Sequence, residues 1–139
     1  YEVEGTALNG EEMESTTMVT HLLPAPPESI AVNGEPVPED CDEGAVPVVS
    51  GPVTIEWDAV TESHPELGRT GEPIEVVQYQ VVVENEETGL IFSVELPPEV
   101  TEVDLPAKFT ESGGEYKLEI LVREDSWNQS ATETCFEVE

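Results

Sequence analysis

The stretch VVQYQVVV, residues 76–83, indicates the fold class of this chain. Its odd-numbered residues, from Val77 through Tyr79 to Val83, are all apolar or aromatic, whereas the residues between them include two glutamines. Side chains of a β-strand point alternately to opposite faces, so this period of two predicts a strand with one face in a core. A helix would repeat its apolar residues every three or four positions, and no segment of the chain shows that pattern convincingly.

Strand-like segments continue on both sides of this stretch. Short runs rich in Val, Ile, Leu and aromatic residues alternate with Gly, Pro and polar residues that favour turns. Besides Val77–Glu84, the runs in the body are Val53–Trp57, Leu90–Leu96, Thr101–Leu105, Tyr116–Arg123 and Thr132–Val138. We therefore expect an all-β fold, a seven-stranded antiparallel β-sandwich with its body at residues 53–139. Three aromatic residues mark the expected core, namely Trp57, Tyr79 and Tyr116.

A proline-rich connector at residues 24–52 precedes this body. It holds seven of the twelve prolines of the chain. Proline has a fixed φ and no backbone N–H, so the connector is expected to be extended and semi-rigid. Part of it, around Ile30–Val32 or Val46–Val49, should form an edge strand, because the edge of a sheet tolerates proline.

Residues 1–23 are expected to form a separate β-hairpin arm. Tyr1–Leu8 and Met13–Leu22 are rich in strand formers, and Asn9-Gly10 between them favours a tight hairpin turn. A lone two-stranded hairpin is only marginally stable in water. The arm should therefore pack on its own sandwich, on a further domain or on another copy of the chain. The apolar residues that would make this contact are Val3, Leu8, Met13, Met18, Val19 and Leu22.

The charge of the chain excludes two classes of partner. With 32 acidic and 4 basic residues, the net charge is −28. Nucleic-acid phosphates and anionic membrane surfaces would both be repelled, so neither is an expected partner. No apolar run approaches the ~18 residues of a membrane helix, and no membrane insertion is expected. The acidity itself has two readings, ordinary solubility or adaptation to high salt.

Two cysteines, Cys41 and Cys135, are the only thiols in the sequence. They fit neither a zinc pattern nor a C-x-x-C redox motif. Cys135 alternates with Phe136 and Val138, which should face the core, so its side chain should point outward. Cys41 lies in a polar loop that could cross the last strand. We expect a disulfide between them, with two unrelated free thiols as the alternative, and a disulfide would imply an oxidising compartment.

Residues ~26–139 resemble a fibronectin type III domain. VTIEWDAV carries Trp57 where the family has its second-strand tryptophan, and VVQYQVVV carries Tyr79 at the third-strand tyrosine. VDLPAKFTESGGEYKLEILVRE resembles the leucine-then-tyrosine region, with Leu105 and Tyr116 in the matching places. EDSWNQSATETCFEV resembles the polar loop and closing strand. The resemblance implies an immunoglobulin-like sandwich.

Three segments depart from the family pattern. The Leu105–Tyr116 interval is longer than usual, and Thr61–Pro73 and Gly34–Gly51 look like insertions. The arm at residues 1–23 lies outside the pattern and resembles the final hairpin of a preceding β-domain in multidomain secreted bacterial proteins. The family implies a modular extracellular or cell-surface scaffold or binding domain, and no family-wide active site carries over.

The sequence does not indicate catalysis. The two histidines, His21 and His64, lie on a predicted strand and in a loop, and nothing in the sequence brings them together. Packing or surface roles fit them better than metal ligation. No G-x-S-x-G motif occurs. With 27 glutamates some pair always has glycosidase-like spacing, so carboxylate pairs carry no information. We expect no enzyme activity.

No cofactor is expected, and calcium is the better guess for a metal because hard cations prefer carboxylates. The densest acidic cluster consists of Glu39, Asp40, Asp42 and Glu43. This cluster lacks EF-hand spacing, so a diffuse attraction of cations to the acidic surface is the alternative to a specific calcium site. Trp127, at a predicted loop tip, is the best candidate for an exposed binding aromatic, although it could also fold back on the rim. Asn128-Gln129-Ser130 fits the glycosylation pattern, which matters only in a host that glycosylates.

Three functions fit these observations. The broadest is a non-catalytic, extracellular structural or adhesive module. The second is a subunit of an extracellular filament, in which residues 1–23 exchange strands with a neighbouring copy. The third is a carbohydrate- or protein-binding module that uses Trp127 and the loop Thr61–Pro73. The expected partners are accordingly further copies of this chain, another extracellular protein or a polysaccharide.

Overall fold

The structure is a computed structural model that describes residues 2–6, 12–16 and 20–139. A single helical turn, α1 (Ala107–Thr110), lies between the ninth and tenth strands of this part of the chain. The strands are β1 (Glu2–Thr6), β2 (Glu12–Thr16), β3 (Ala31–Val32), β4 (Glu35–Pro36), β5 (Val48–Val49), β6 (Thr54–Glu56), β7 (Val76–Asn85), β8 (Ile91–Leu96), β9 (Glu102–Asp104), β10 (Gly114–Glu124) and β11 (Gln129–Val138).

The strands of the body form two sheets that pack face to face. One sheet has the order β4-β3-β6-β9, and the other has the order β5-β11-β10-β7-β8. Neighbouring strands are antiparallel except β5 and β11, which are parallel. The prediction of a β-sandwich is confirmed at this level. Of the two segments considered for an edge strand of the connector, Val46–Val49 contains β5, which lies at the edge of its sheet. β3 lies inside its sheet between β4 and β6, because β4 adds a further strand at that edge.

The core lies between the two sheets and follows the predicted alternation. β7 and β10 contribute inward-facing side chains that are at most 1% exposed, namely Tyr79, Val81, Val83, Tyr116, Leu118, Ile120 and Val122. Trp57 meets Tyr79 edge-on with ring centroids 5.4 Å apart, and Tyr116 stacks on Phe136 at 5.3 Å. Such aromatic pairs add about 0.5–1.5 kcal/mol each beyond the burial of their area. The opposite side of the five-stranded sheet, called the outer face below, is partly exposed.

The helical turn α1 departs from the expectation of no helix. Pro106 lies at the N-cap with φ −59° and ψ 136°, so it is not itself helical, and four residues are too few to display a period. The turn holds Phe109 beside β10, where its carbonyl accepts a hydrogen bond from the Tyr116 hydroxyl at 3.0 Å. The long interval between Leu105 and Tyr116 therefore contains a turn that brings the backbone back to the tyrosine.

Several predicted strand boundaries also differ from the structure. β11 begins at Gln129 rather than Thr132, because four residues, 125–128, are enough to connect it to β10. In the arm, β1 and β2 pair antiparallel as predicted, but residues 20–22 belong to no strand. The Asn9-Gly10 turn lies outside the described residues. Within the described part of the chain, no helix has the length and apolar character needed to cross a membrane.

Candidate functional site

The connector is attached to the sandwich by backbone hydrogen bonds to the loop 61–73. The His64 amide donates to the Leu23 carbonyl at 2.7 Å, and the Ala25 amide donates to the Glu62 carbonyl at 2.9 Å. These bonds satisfy main-chain groups of both segments away from any sheet. We refer to residues 20–25 together with the loops 61–73 and 125–128 as the junction.

A glycine allows the closest approach within the junction. The Arg69 amide donates to the His21 carbonyl at 2.8 Å, and the preceding residue, Gly68, has φ +68°. A Cβ at Gly68 would collide with the carbonyl oxygen of His21. Only a residue without a side chain fits this position, since it combines a left-handed backbone with a main-chain contact.

The loop 61–73 therefore packs against the segment that precedes the sandwich. Inside it, the His64 Nδ1 atom accepts hydrogen bonds from the amides of Glu66 and Leu67, both at 3.0 Å. His64 thus stabilises the turn that follows it, and His21 takes part through its main-chain carbonyl. Among the described residues, no group of three or more His, Cys, Asp or Glu side chains could hold a metal ion.

A buried carboxylate organises the second loop of the junction. Glu124 is 0% exposed, and its two oxygens accept hydrogen bonds from the amides of Ser126 at 2.9 Å and Asn128 at 3.1 Å, and from the Ser126 hydroxyl. Burial alone would raise the pKa of Glu124, but these hydrogen bonds outweigh it and hold the pKa below its usual value. Alternation places Glu124 on the same side as Val122, so its burial was visible in the sequence.

The loop 125–128 in turn holds residues 20–22, the end of the arm that leads into the connector. The hydroxyls of Ser126 and Thr20 lie 2.8 Å apart, and the Asn128 side-chain amide donates to Thr20 Oγ1 at 3.1 Å and to the Leu22 carbonyl at 3.0 Å. The amide of the predicted glycosylation acceptor is therefore used in packing. Residues 20–22 are bonded on one side by the loop 125–128 and on the other by the loop 61–73.

Beyond the junction, hydroxyl groups of β11 bind the proline-rich connector along its length. Ser130, Thr132 and Thr134 donate to carbonyls of the connector at 2.7, 2.8 and 2.7 Å. The acceptors belong to Pro24, Pro27 and Pro38 in that order. Proline offers a carbonyl but no N–H, so side-chain donors replace the backbone ladder that a regular strand would form. The connector thereby covers most of the edge of β11.

Trp127 is exposed at the tip of the β10–β11 turn. Its side chain is 69% exposed and its φ is +73°. The Arg123 guanidinium lies over its ring, 5.5 Å from the centroid. Arg123 also donates to Gln78 Oε1 at 3.2 Å and to Gln129 Oε1 at 2.9 Å on the outer face. The sequence indicated Trp127 but not these three polar neighbours. Arg123 was a usable signal for them, because it is one of only four basic residues and lies four positions before Trp127.

The disulfide fixes the cysteine loop on the same outer face. Cys41 and Cys135 form a disulfide with Cα atoms 5.9 Å apart, and Cys135 points away from the core as its alternation predicts. A groove of about 600 Å³ lies beside it. Glu119 and Glu133 face each other across β10 and β11 in this groove. Burial raises the pKa of Glu119, and the facing carboxylate of Glu133 raises it further.

The acidic cluster of the cysteine loop forms a turn of its own. The Asp40 carboxylate accepts a hydrogen bond from the Asp42 amide at 2.8 Å, and its main-chain carbonyl accepts from the amides of Glu43 and Gly44 at 3.2 and 3.0 Å. Glu39 lines the groove nearby. Asp40 therefore closes this turn through both its side chain and its main chain.

Of the six apolar residues expected to make the packing contact of the arm, the structure describes Val3, Met13 and Leu22. In the β1–β2 pair, Val3 faces Ser15 and Met13 faces Gly5. Leu22 is half-buried at the junction. Leu8, Met18 and Val19 lie outside the described residues.

No protein-family model matches this sequence, and no similar sequence is found among curated proteins.

Proposed function

We propose that this chain is a non-catalytic structural or adhesive module of an extracellular assembly, in which the sandwich holds residues 20–25 in a fixed direction. The junction carries the proposal, because residues 20–25 are hydrogen-bonded to two separate loops. A flexible linker would leave its backbone solvated. A spacer transmits an orientation only when its connection to the domain is stiff, and this connection is made of many short-range polar contacts.

The strand order supports a fibronectin type III-like topology. With β3, β6 and β9 lettered A, B and E, and β7, β8, β10 and β11 lettered C, C′, F and G, the sheets read A-B-E and C′-C-F-G. These neighbours are those of immunoglobulin-like sandwiches. The hydrogen bond from Tyr116 to the Phe109 carbonyl has the form of the tyrosine corner of such folds. In this lettering β4 and β5 are additions to the seven strands.

The disulfide between Cys41 and Cys135 supports an extracellular setting. Disulfides persist outside the cytosol, and the Cys41–Cys135 bridge ties the connector to the last strand. The module then acts at the cell surface or in a secreted assembly, with no cofactor. Its acidic surface keeps nucleic acid and anionic membranes away.

Amide hydrogen exchange on the intact, oxidised chain tests this proposal. The amides of Ala25 and Asn33, which bond to Glu62 and Thr54, should be protected to a degree comparable with the edge strands of the sandwich. Exchange at the rate of an unstructured peptide would contradict a stiff connector. Turnover of ester, peptide or glycoside substrates by the purified protein would contradict the non-catalytic role.

A second candidate is a filament subunit in which the arm pairs with a neighbouring copy. Among the described strands, β1 and β2 pair only with each other, and a two-stranded hairpin needs a further surface to be stable. β8 offers one, since its outer edge pairs with no described strand. Copies with a net charge of −28 repel one another, so assembly should increase with salt.

Light scattering of the intact chain tests this second candidate. Mass should be measured at low and high salt, with and without calcium, for the wild type and for Glu14→Pro. Glu14 lies in the middle of β2, opposite Glu4, where proline removes a ladder donor. Large assemblies that disappear in the variant support strand exchange. A monomer under every condition rules it out.

A further inference from the structure

We propose that the outer face beside Trp127 is a binding site for a neutral polysaccharide. We call the site the Trp127 platform and define it by Trp127, Arg123, Gln78 and Gln129. The inference rests on the proposed function for its compartment, since polysaccharides are ligands of extracellular modules. It adds a ligand class to the adhesive part of that function.

The indole of Trp127 is held in an exposed position. Its φ of +73° is rare for a bulky residue, and its amide donates to the Glu124 carbonyl at 2.8 Å. The hydrogen bonds to the buried Glu124 carboxylate hold the rest of the turn. The ring is 69% exposed, more than any other large hydrophobic side chain in the described part of the chain. A rigid, exposed aromatic loses little conformational entropy when a ligand stacks on it.

Arg123 orients the polar groups around the ring. A guanidinium only donates hydrogen bonds, so its contacts at 3.2 and 2.9 Å fix the Oε1 atoms of Gln78 and Gln129 toward it. Both Nε2 groups then point away from Arg123, and neither has a hydrogen-bond partner among the described residues. The guanidinium lies over one side of the indole, and Trp127 remains 69% exposed. An aromatic face and two amide donors therefore lie side by side.

A shallow groove of about 280 Å³ runs from Trp127 and Gln78 to the edge strand β8. Its lining residues are Val77, Gln78, Glu95, Leu96, Pro97 and Trp127. Glu95 supplies a carboxylate acceptor in the same groove as Gln78. A pyranose ring presents an apolar C–H face and a rim of hydroxyls, each of which both donates and accepts. An aromatic surface with amide donors and a carboxylate acceptor beside it matches this chemistry.

Electrostatics favour a neutral ligand. The chain carries a net charge of −28, Glu95 lies in the groove, and the charge of Arg123 is already engaged by two amides and an aromatic ring. An anionic polysaccharide would be repelled. A protein partner would need about 800 Å² of surface per side with an apolar centre. Here the groove is small, about 280 Å³, and it is open at the surface, which suits a polymer chain.

Affinity electrophoresis of the intact, oxidised chain tests the platform. The probes are hydroxyethyl cellulose, xylan, galactomannan and dextran, with alginate as the anionic comparison. We expect at least one neutral polysaccharide to retard the protein and alginate to leave its mobility unchanged. The same polysaccharide should protect tryptophan fluorescence from acrylamide, and the protected signal should be that of Trp127, because Trp57 is only 4% exposed. Trp127→Ala should weaken binding at least about tenfold.

Two further variants keep the test independent of folding. Gln129→Glu retains an acceptor for Arg123 and removes the amide donor, so it should weaken binding several-fold while the thermal unfolding midpoint stays unchanged. Leu90→Ala removes a side chain of similar exposure, 58%, in the β7–β8 turn and should bind like the wild type.

Three results overturn the proposal. They are no retardation by any neutral probe, unchanged binding by both Trp127→Ala and Gln129→Glu, and stronger binding to alginate than to every neutral probe. Exchange of the Ala25 amide in the same samples separates the proposals: protection without polysaccharide binding overturns the platform alone. Loss of protection counts instead against the structural role.

Discussion

Gly68→Ala should open the junction, whereas Gly71→Ala in the same loop should not. Both glycines have left-handed backbones, with φ +68° and +69°, so each alanine carries a similar conformational cost of about 1–2 kcal/mol. At Gly71 an added methyl group meets no atom within 4 Å, but at Gly68 it collides with the His21 carbonyl. The difference between the two variants therefore isolates the contact between the loop and the connector.

The size of this difference follows from the hydrogen bonds at risk. Relieving the collision requires residues 21–23 to move away, which removes the bonds from Arg69 to His21 and from His64 to Leu23. At about 0.5–1.5 kcal/mol for each bond, Gly68→Ala should be less stable at the junction than Gly71→Ala by about 1–3 kcal/mol. Local opening limits the effect on global unfolding, so the difference should be sought locally.

Amide hydrogen exchange is the appropriate assay. In Gly68→Ala the amides of Arg69 and His64 should exchange between about fivefold and a hundredfold faster than in Gly71→Ala, since each 1.4 kcal/mol is a factor of about ten. Amides of β7 and β10 should exchange equally in both variants and serve as the internal control. Equal exchange at Arg69 and His64 would refute the view that this loop holds the connector.

Three other changes test neighbouring features. Serine at Cys41 and Cys135 should lower the free energy of unfolding by up to about 4–5 kcal/mol, the chain-entropy value for a loop of roughly this length, and an unchanged denaturant midpoint would contradict it. Glu124→Gln should lose about 1–3 kcal/mol at pH 7, because hydrogen bonds to a charged group disappear. The pKa of Glu124 is lower in the folded than in the unfolded chain. Its contribution to the free energy of unfolding is therefore complete above the unfolded pKa and is lost as pH falls through the folded pKa. The thermal unfolding midpoint of Glu124→Gln should lack this acid dependence. Glu119→Gln should gain about 0.2–1 kcal/mol at neutral pH, since the pKa of Glu119 is raised opposite Glu133 and its ionisation costs stability as pH rises; a gain that does not shrink in high salt would count against repulsion.

The strands could be predicted because they depend on local alternation. The period of two in residues 76–83 and 116–123 places each side chain on one face without knowledge of the rest of the chain. The same alternation predicted that Cys135 points away from the core, and this direction was the basis for predicting its disulfide with Cys41. The turn α1 could not be found in this way, because Pro106 and four residues provide a local conformation but no repeat.

The junction and the platform depend on contacts between distant segments. Thr20 meets Ser126 across 106 positions, and the hydroxyls of β11 look like ordinary residues of a strand until the connector lies beside them. Trp127 was visible as an aromatic residue in a turn. Its neighbour Gln78 comes from β7, and only the register of β7 against β10 brings it to Arg123. Register between strands is set by the whole core and cannot be read from one segment.

Backbone ¹⁵N relaxation of the intact, oxidised chain tests the central claim most directly, because it reports the stiffness of the connector residue by residue. For the non-proline residues at positions 20–38, the account predicts order parameters near ~0.85, the value of rigid backbone, equal to those of β7 and β10. Values below about 0.6 across this segment, with rigid strands, would mean that the connector is a flexible tether and would contradict the proposed role.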